Sequence, residues 1–409
     1  MRRVAVTGLG TVSPLGNEPE QLFAALKAGR SGIVRLPETV HPRLTMRIVA
    51  AAQFDGAAHF QTAQLRVLDR VSQFAVYASR QAVADAGLVL DAHEKERSGV
   101  FLGTGMGGAQ STDDAYASLY EQGSDRVKPL TVLMAMPNAA ASWVGIEHGF
   151  SGPNLTFSTA CSSSAVAIGE AWRRIAGGEI DVMLAGGSEA PLNLGTLKAW
   201  DAMKTLATED ADDPAASCKP FALDRSGLVL GEGAAMLVLE EWERAARREA
   251  RVHGEIVGYG LSTDPAHITR PSVPGQARAM HLALESAGLG AGDLDYINAH
   301  GTATLANDAV ETAAIKEVFG SSARGTPVSS TKSMHGHLLG AAGALELMAC
   351  LLALQHATLP PTCNLRVPDP ECDLDYVAEG ARSQPGLRTV MSNSFAFGGT
   401  NAVLICRRP

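Results

Sequence analysis

The sequence predicts a layered α/β fold, and three observations carry that expectation. Short apolar runs of strand length alternate with longer stretches of helical spacing through the 409 residues. Glycine is abundant, at 42 residues, which suits tight turns and close backbone contacts between layers. Hydrophobic content of 46% beside 19% charged residues supplies a large core, and no low-complexity segment or long linker divides it.

Val4–Gly8, Val100–Gly103, Leu155–Ala160, Val182–Gly186 and Ala234–Leu239 read as buried strands. A second set follows at Ile256–Tyr259, Tyr296–Ala299, Val328–Ser330, Thr389–Ser394 and Ala402–Cys406. Helical spacing marks Val71–Ala86, Val166–Ile175, Ala277–Ser286, Ala309–Phe319 and Gly343–Leu354. The two sets share an element order, so an internal duplication near residue 250 is expected, with halves at 1–250 and 251–409. Arg244–Arg251 is either the joint between the halves or a solvated helix end. Asp210–Ser217 is polar and proline-containing, an exposed loop.

Net charge is −9, which argues against general attraction to nucleic acid or anionic membrane. Met1–Gly8 resembles a secretion signal, but its apolar stretch is short and Gly8, Gly10 and Pro14 break it. The apolar run Leu338–Leu354 has Glu346 at its middle and falls below a membrane span of about 18–20 residues. The six cysteines, at 161, 218, 350, 363, 372 and 406, form no C-x-x-C pair, and reduced thiols in the cytoplasm are expected.

Chemistry concentrates in a few segments. Ser158-Thr159-Ala160-Cys161-Ser162-Ser163-Ser164 ends a strand at small residues, and a helix begins at the cysteine. Cys161 is either an inert core cysteine or a nucleophile favoured as thiolate by the helix N-terminus. His300 follows a strand in Asn298-Ala299-His300-Gly301-Thr302-Ala303-Thr304, and His335 and His337 follow another beside Lys332. Each histidine alone reads as core; together with Cys161 they form a catalytic constellation. The same four side chains would serve zinc, but no acidic ligand or supporting hydrogen-bond pattern favours it. Gly103-Thr104-Gly105-Met106-Gly107-Gly108 fits G-x-G-x-x-G yet lacks the acidic residue of a dinucleotide site, and Gly8-x-Gly10 lacks the third glycine. Phe395-Ala396-Phe397-Gly398-Gly399-Thr400-Asn401 reads as a glycine-rich loop able to gate a pocket.

These segments together resemble the elongating β-ketoacyl-acyl-carrier-protein synthases over essentially the whole chain. The resemblance runs through Val6-Thr7-Gly8-Leu9-Gly10, Thr159-Ala160-Cys161, Ala185-Gly186-Gly187-Ser188-Glu189, Asp224-Arg225-x-Gly227, Asn298-Ala299-His300-Gly301-Thr302, Thr331-Lys332-Ser333 with Gly336-His337, and Asn393-Ser394-Phe395-x-Phe397-Gly398-Gly399-Thr400-Asn401. It implies the thiolase fold, duplicated halves in a five-layered α-β-α-β-α sandwich. It implies that Cys161 takes the acyl chain, that His300 and His337 act on the malonyl thioester, and that Lys332 supports them. It places the N–H groups of Cys161 and Phe397 in an oxyanion hole, with Phe397 the gate. Thr302 and Thr304 would contact the phosphopantetheine arm, and Phe395, Gly398, Gly399 and Met106 would line the substrate path. Asn298, Glu346, Ser392 and Asn393 match a buried site for Na+ or K+ in some relatives; no other cofactor is implied.

The implied partners are acyl carrier protein, bringing acyl and malonyl thioesters on 4'-phosphopantetheine, and a second copy in a homodimer. A heterodimer with a chain-length-factor-like subunit is the alternative. The two-histidine pattern argues against the initiating synthases, Phe397 in the C-terminal loop against thiolases, and Cys161 against a non-catalytic subunit. Ala396, where housekeeping synthases usually have glycine, and Ser162-Ser163-Ser164 leave open a specialised ketosynthase for a polyketide, aryl polyene or modified acyl chain. Arg66 and Arg70, i,i+4 on one expected helix face, and Lys204 are candidate carrier-docking cations or an ordinary solvated face. Met106 is either pocket-lining or interface filler.

Overall fold

Val4–Val12 holds only apolar, small or hydroxyl residues, and it is buried along its whole length as strand β1. The structure, a computed structural model, describes residues 1–38 and 43–409. In chain order the further strands of the main sheet are β2 (Ser98–Gly103), β3 (Asn154–Phe157), β4 (Val182–Glu189), β5 (Gly233–Glu241), β6 (Gly254–Thr263), β7 (Tyr296–Asn298), β8 (Val328–Ser329), β9 (Thr389–Phe395) and β10 (Thr400–Arg407). All ten belong to one sheet, ordered β8-β7-β9-β10-β6-β1-β5-β4-β2-β3. Outward from the β1–β6 junction both halves follow one plan. Two antiparallel pairings come first (β1–β5–β4 and β6–β10–β9), then two parallel ones (β4–β2–β3 and β9–β7–β8). The expected duplication is therefore visible as topology, with its seam between β5 and β6.

Six helices cover the sheet: α1 (Arg70–Asp85), α2 (Ala139–His148), α3 (Ser163–Ala176), α4 (Val273–Ala287), α5 (Asn307–Phe319) and α6 (Ala342–His356). Side chains alternate between strand faces. Met183 and Ala185 of β4 pack with α3 and α6, while Val182 and Leu184 pack with α1 and α2. In the other half Val390 of β9 joins the α3–α6 core and Met391 joins α4 and α5. The result is the five-layered α-β-α-β-α sandwich. The two β layers are continuous rather than separate, because Val4–Val6 pairs antiparallel with Gly254–Ile256. The apolar stretch Leu339–His356 is long enough to cross a membrane, but 89% of it is buried in this central layer.

Arg244–Arg251 is not a free linker. Arg244 and Arg248 both pair with the fully buried Glu240. Strand β3 stops at Phe157, short of the expected Ala160, because the chain turns there toward α3.

The two G-x-G dipeptide spacings explain how the outer helices come so close. Gly8 and Gly10 of β1 face the Ala82 and Ala78 carbonyls of α1, and Gly258 and Gly260 of β6 face the Ala283 and Ala279 carbonyls of α4. A methyl group at any of the four would collide with backbone, so the glycines are a packing device and not half of a nucleotide fingerprint. Gly10→Ala and Gly260→Ala should each cost about 1–3 kcal/mol, the usual range for overpacking. Gly292→Ala, where an added Cβ meets nothing within 4 Å, should be near neutral. Urea denaturation midpoints measure the difference.

Candidate active site

The end of β3 leads into a short 3-10 turn, Ala160–Ser162, and then into α3. Ala160 is held at φ 51°, a left-handed conformation that a residue with a side chain adopts only under constraint. The constraint is a knit of hydroxyls. Ser162 Oγ donates to the Thr159 carbonyl at 2.9 Å, Ser163 Oγ donates to the Ala160 carbonyl at 2.6 Å, and Ser164 Oγ accepts the Ala344 N–H at 2.9 Å. The serine triplet thus fixes the turn that presents Cys161. Cys161 is buried, in a cluster with Leu44, Val49, Leu197, Leu228, Leu230 and Leu339. Burial pushes its thiol up to about 12, although the Lys332 charge and the Phe397 N–H pull the other way. The helix end favours thiolate, and the apolar surroundings oppose it more strongly.

His300 lies just past β7, and His337 lies in the connection from β8 to α6. Their side-chain nitrogens and Cys161 Sγ fall within 4.8 Å of one another, and the two rings meet edge to face at 5.3 Å. Hydrogen bonds set both tautomers. The Leu339 N–H donates to His337 Nδ1 at 3.2 Å, so the ring proton sits on Nε2, which is buried without another partner. Lys332 Nζ lies 3.3 Å from His300 Nδ1 and donates to the His300 carbonyl at 2.7 Å, leaving the His300 proton on Nε2 as well. Burial, then the Lys332 charge, hold both imidazoles well below the ordinary histidine range, so they are neutral at physiological pH. Two N–H donors therefore converge beside one thiol.

Lys332 is itself fully buried and pairs with Glu346. Burial raises Glu346 to about 7, against the pull of Lys332. Glu346 was expected at a cation site and serves first as this ion-pair partner. Its Oε2 and the Oδ1 of Asn298 are buried without partners, a donor set that fits a hard monovalent cation. Ser392 is buried beside Asn298 across the β7–β9 pairing. Asn393 donates its amide N–H to Glu311 at 3.2 Å, and its Oδ1 is likewise buried without a partner.

A pocket of about 540 Å³, including its open mouth, exposes Cys161, His300 and His337 together with Thr302, Thr304, Phe395, Phe397 and Gly399. Phe395 packs edge-on against His300 at 6.1 Å, and Phe397 stacks on Trp200 at 6.0 Å. Gly398 and Gly399 take φ of 83° and 80°, which keeps the loop tight behind Phe397. Thr302 and Thr304 share a hydroxyl contact of 2.9 Å, and Arg225 of the Asp-Arg-x-Gly motif fixes their loop by donating to the Thr304 carbonyl.

His335 stays out of the cluster. Its Nδ1 engages the Gly336 carbonyl and its Nε2 the Thr331 hydroxyl. The zinc reading thereby loses its fourth ligand, and both remaining imidazoles direct N–H into the centre. Arg70 is also reassigned. It grips the buried Glu232 in a double hydrogen bond, and the short helix carrying Gln64 and Leu65 ends at Arg66, so the two arginines share no helix face. Arg66 and Lys204 remain exposed. Met106 is 44% exposed and lies outside the residues lining the Cys161 pocket.

Three site residues were missed from sequence. Glu189 accepts N–H bonds from Gly105, Met106 and Gly340 at 2.6–2.9 Å, so the G-x-G-x-x-G loop cradles a carboxylate of its own chain instead of a phosphate. Glu311 accepts the N–H groups of His300 and Gly301, both at 2.8 Å, and so locks the catalytic loop. Trp200 backs the gate. Glu189 closes the Ala-Gly-Gly-Ser-Glu segment, a signal that was present; Glu311 and Trp200 gave none.

Residues 1–245 match the family described as beta-ketoacyl synthase, N-terminal domain, and residues 253–366 match its C-terminal domain. The chain belongs to the beta-ketoacyl synthase family. This synthase is 45% identical over 403 residues to nodulation protein E of Rhizobium meliloti, covering 98% of each chain. It is 42% identical over 413 residues to 3-oxoacyl-[acyl-carrier-protein] synthase 2 of Coxiella burnetii, covering 100% of this chain and 99% of that one. Among solved structures it resembles the ishigamide ketosynthase/chain length factor, with TM-score 0.93 and 36% identity over 100% of this chain and 99% of the other. Like its relatives, the synthase is an acyltransferase that forms carbon–carbon bonds.

With the Cys161 thiol near 12, alkylation of Cys161 by iodoacetamide should quicken about tenfold per pH unit from pH 6 to pH 9, without a plateau. A plateau below pH 8 would mean a resting thiolate. Ala396→Gly should loosen the backbone beside Phe397 and speed Cys161 acylation more than condensation, as rapid-quench kinetics would resolve.

Proposed function

We propose that this synthase elongates fatty acyl chains, joining an acyl group held on Cys161 to a malonyl unit, with both delivered by acyl carrier protein. The half ending near residue 250 supplies the thiol, and the half from 251 supplies the histidine pair. The observation that carries this reading is the convergence of one thiol with two neutral Nε2–H donors in a single pocket.

In the first step Cys161 Sγ attacks the carrier thioester. The Cys161–acyl bond forms, the carrier C–S bond breaks, and the thiol proton ends on the departing carrier sulfur. The N–H groups of Cys161 and Phe397 face the developing oxyanion; the Phe397 N–H already points at Sγ. In the second step the malonyl thioester carbonyl accepts from His300 Nε2–H and His337 Nε2–H. The bond to the carboxylate breaks, carbon dioxide leaves, and the electron pair forms an enolate stabilised by those two donors. The enolate carbon attacks the Cys161 thioester, the carbon–carbon bond forms, and Cys161 leaves as thiolate and takes a proton from water. Both partners held in one pocket make the attack effectively intramolecular. Neutral imidazoles donate without forming an ion pair that would anchor the malonate carboxylate.

Lys332 acts through the histidines, fixing the His300 tautomer and reinforcing the neutrality that burial imposes on both rings. Thr302 and Thr304 line the path of the phosphopantetheine arm, and Phe397 gates it. Arg66 and Lys204 are the remaining carrier-docking cations. Where Na+ or K+ binds, the free oxygens of Asn298, Asn393 and Glu346, with Ser392, would hold it, and it would add positive charge that favours the ionised form of Glu346. The synthase acts in the cytoplasm as a homodimer whose second subunit covers the Met106 loop. Ala396 and the likeness to nodulation protein E favour, as a second reading, a specialised acyl chain. Product profiles from a ladder of acyl primers separate the two.

Cys161→Ala should abolish acyl transfer and condensation, by at least about a thousandfold, because the nucleophile is gone. Release of carbon dioxide from malonyl carrier protein should persist, because His300 and His337 remain. Full condensation by this variant would overturn the assignment.

A further inference from the structure

The mouth of the Cys161 pocket carries a cation to which the catalytic steps give no task. Arg270 lines the pocket beside Ile268, Thr269 and Pro271, and it is exposed. Among the described residues it has no ion pair or hydrogen bond. Arg70, Arg225, Arg244 and Arg248, by contrast, are all held by carboxylates. Arg270 is also the only lysine or arginine among the described residues lining this pocket.

The arm that brings the thioester has two chemically different ends. One is the thioester, which must reach Cys161. The other is a phosphodiester joining the arm to its carrier, and it stays at the mouth when the thioester is seated. Between them the wall offers Thr302, Thr304 and Asn307 to the arm's amides. An anion approaching a chain of net charge −9 needs local positive charge, and a guanidinium suits phosphate oxygens through paired N–H donors. Asp264 also lines the pocket, but it forms no ion pair with Arg270 and its carboxylate is bonded within its own segment. Asp264 is buried and accepts the Ser272 N–H at 3.2 Å and the Ser272 hydroxyl at 2.8 Å, at the start of α4.

The segment that carries Arg270 is also bonded to the gate. Gly398 N–H donates to the Ile268 carbonyl at 2.7 Å, and Asp264 N–H donates to the Gly399 carbonyl at 2.8 Å. We propose that Arg270 binds the phosphate of the phosphopantetheine arm, so that the synthase favours phosphate-bearing thioesters at the segment that holds its gate. The proposal rests on the ketosynthase reading and adds to it the residue that recognises the arm's charged end.

The test compares two thioesters that differ only in the phosphate, acyl-4'-phosphopantetheine and acyl-pantetheine, by the rate of Cys161 acylation followed by mass spectrometry. The wild-type enzyme should favour the phosphorylated donor by about three- to tenfold in kcat/KM, the scale of one charge-assisted contact near solvent. The ratio should fall toward one in Arg270→Gln and recover in part in Arg270→Lys. Because it is a ratio within one protein, loss of folded enzyme does not move it. A wild-type ratio of one, or an undiminished ratio in Arg270→Gln, overturns the proposal. Failure of the wild-type enzyme to acylate with either donor would overturn the ketosynthase reading itself, and this one with it.

Discussion

A single buried ammonium organises the active site. Lys332 has no water to solvate it, so its three protons must be spent on fixed partners: the Glu346 carboxylate, the His300 carbonyl and the His300 ring. Each bond has a chemical consequence. Glu346 ties the ammonium to the central helix α6, the carbonyl fixes the loop after β7, and the ring bond chooses the tautomer. The same charge adds to burial in keeping both imidazoles from protonating. Removal of Lys332 would leave Glu346 buried without its partner and favour its protonated form, so fold and chemistry are coupled at this residue.

The duplicated architecture brings these groups together. Cys161 precedes α3 and the histidine pair surrounds the entry to α6, and these two helices pack against each other in the central layer. Neither half holds a complete site. Backbone strain is present at the same place: Ala160, Ala303 and Leu339 all have positive φ, and each lies within two residues of a pocket side chain. Helix packing, the serine knit and the Glu189 and Glu311 cradles hold these conformations in place.

The sequence revealed the groups that bear chemistry and the alternation that builds layers, because both are local. A cysteine between a strand and a helix, or a histidine after a strand, is visible in a few residues. The supporting contacts are not. Glu311 reaches His300 across a helix turn, Trp200 reaches Phe397 across the chain, and nothing near either residue signals it. Arg70 looked like a free surface charge because Glu232, which grips it, is far away in sequence. The acidity of Cys161 was open in the sequence for the same reason: the helix end that favours thiolate is local, whereas the leucines that exclude water come from several segments. The glycine motifs were legible as close approaches, but whether a phosphate, a helix or a carboxylate approached was decided by tertiary structure.

The position of β1 has a consequence for synthesis on the ribosome. The strand at the centre of the sheet is made first, yet its neighbours are β5 at Gly233–Glu241 and β6 at Gly254–Thr263. Until both have left the exit tunnel, a strand with an apolar face and two unpaired edges has no native partner. More than half the chain must therefore be translated before the middle of the sheet can close. Over that interval β1 can be covered by nearby segments: Leu22, Phe23 and Leu26 cluster with Val4, Val6 and Leu9, and α1 fits closely against Gly8 and Gly10. The closely fitted strand–helix pair that spaces the layers in the finished enzyme is thus also a native contact open to the growing chain well before the sheet closes.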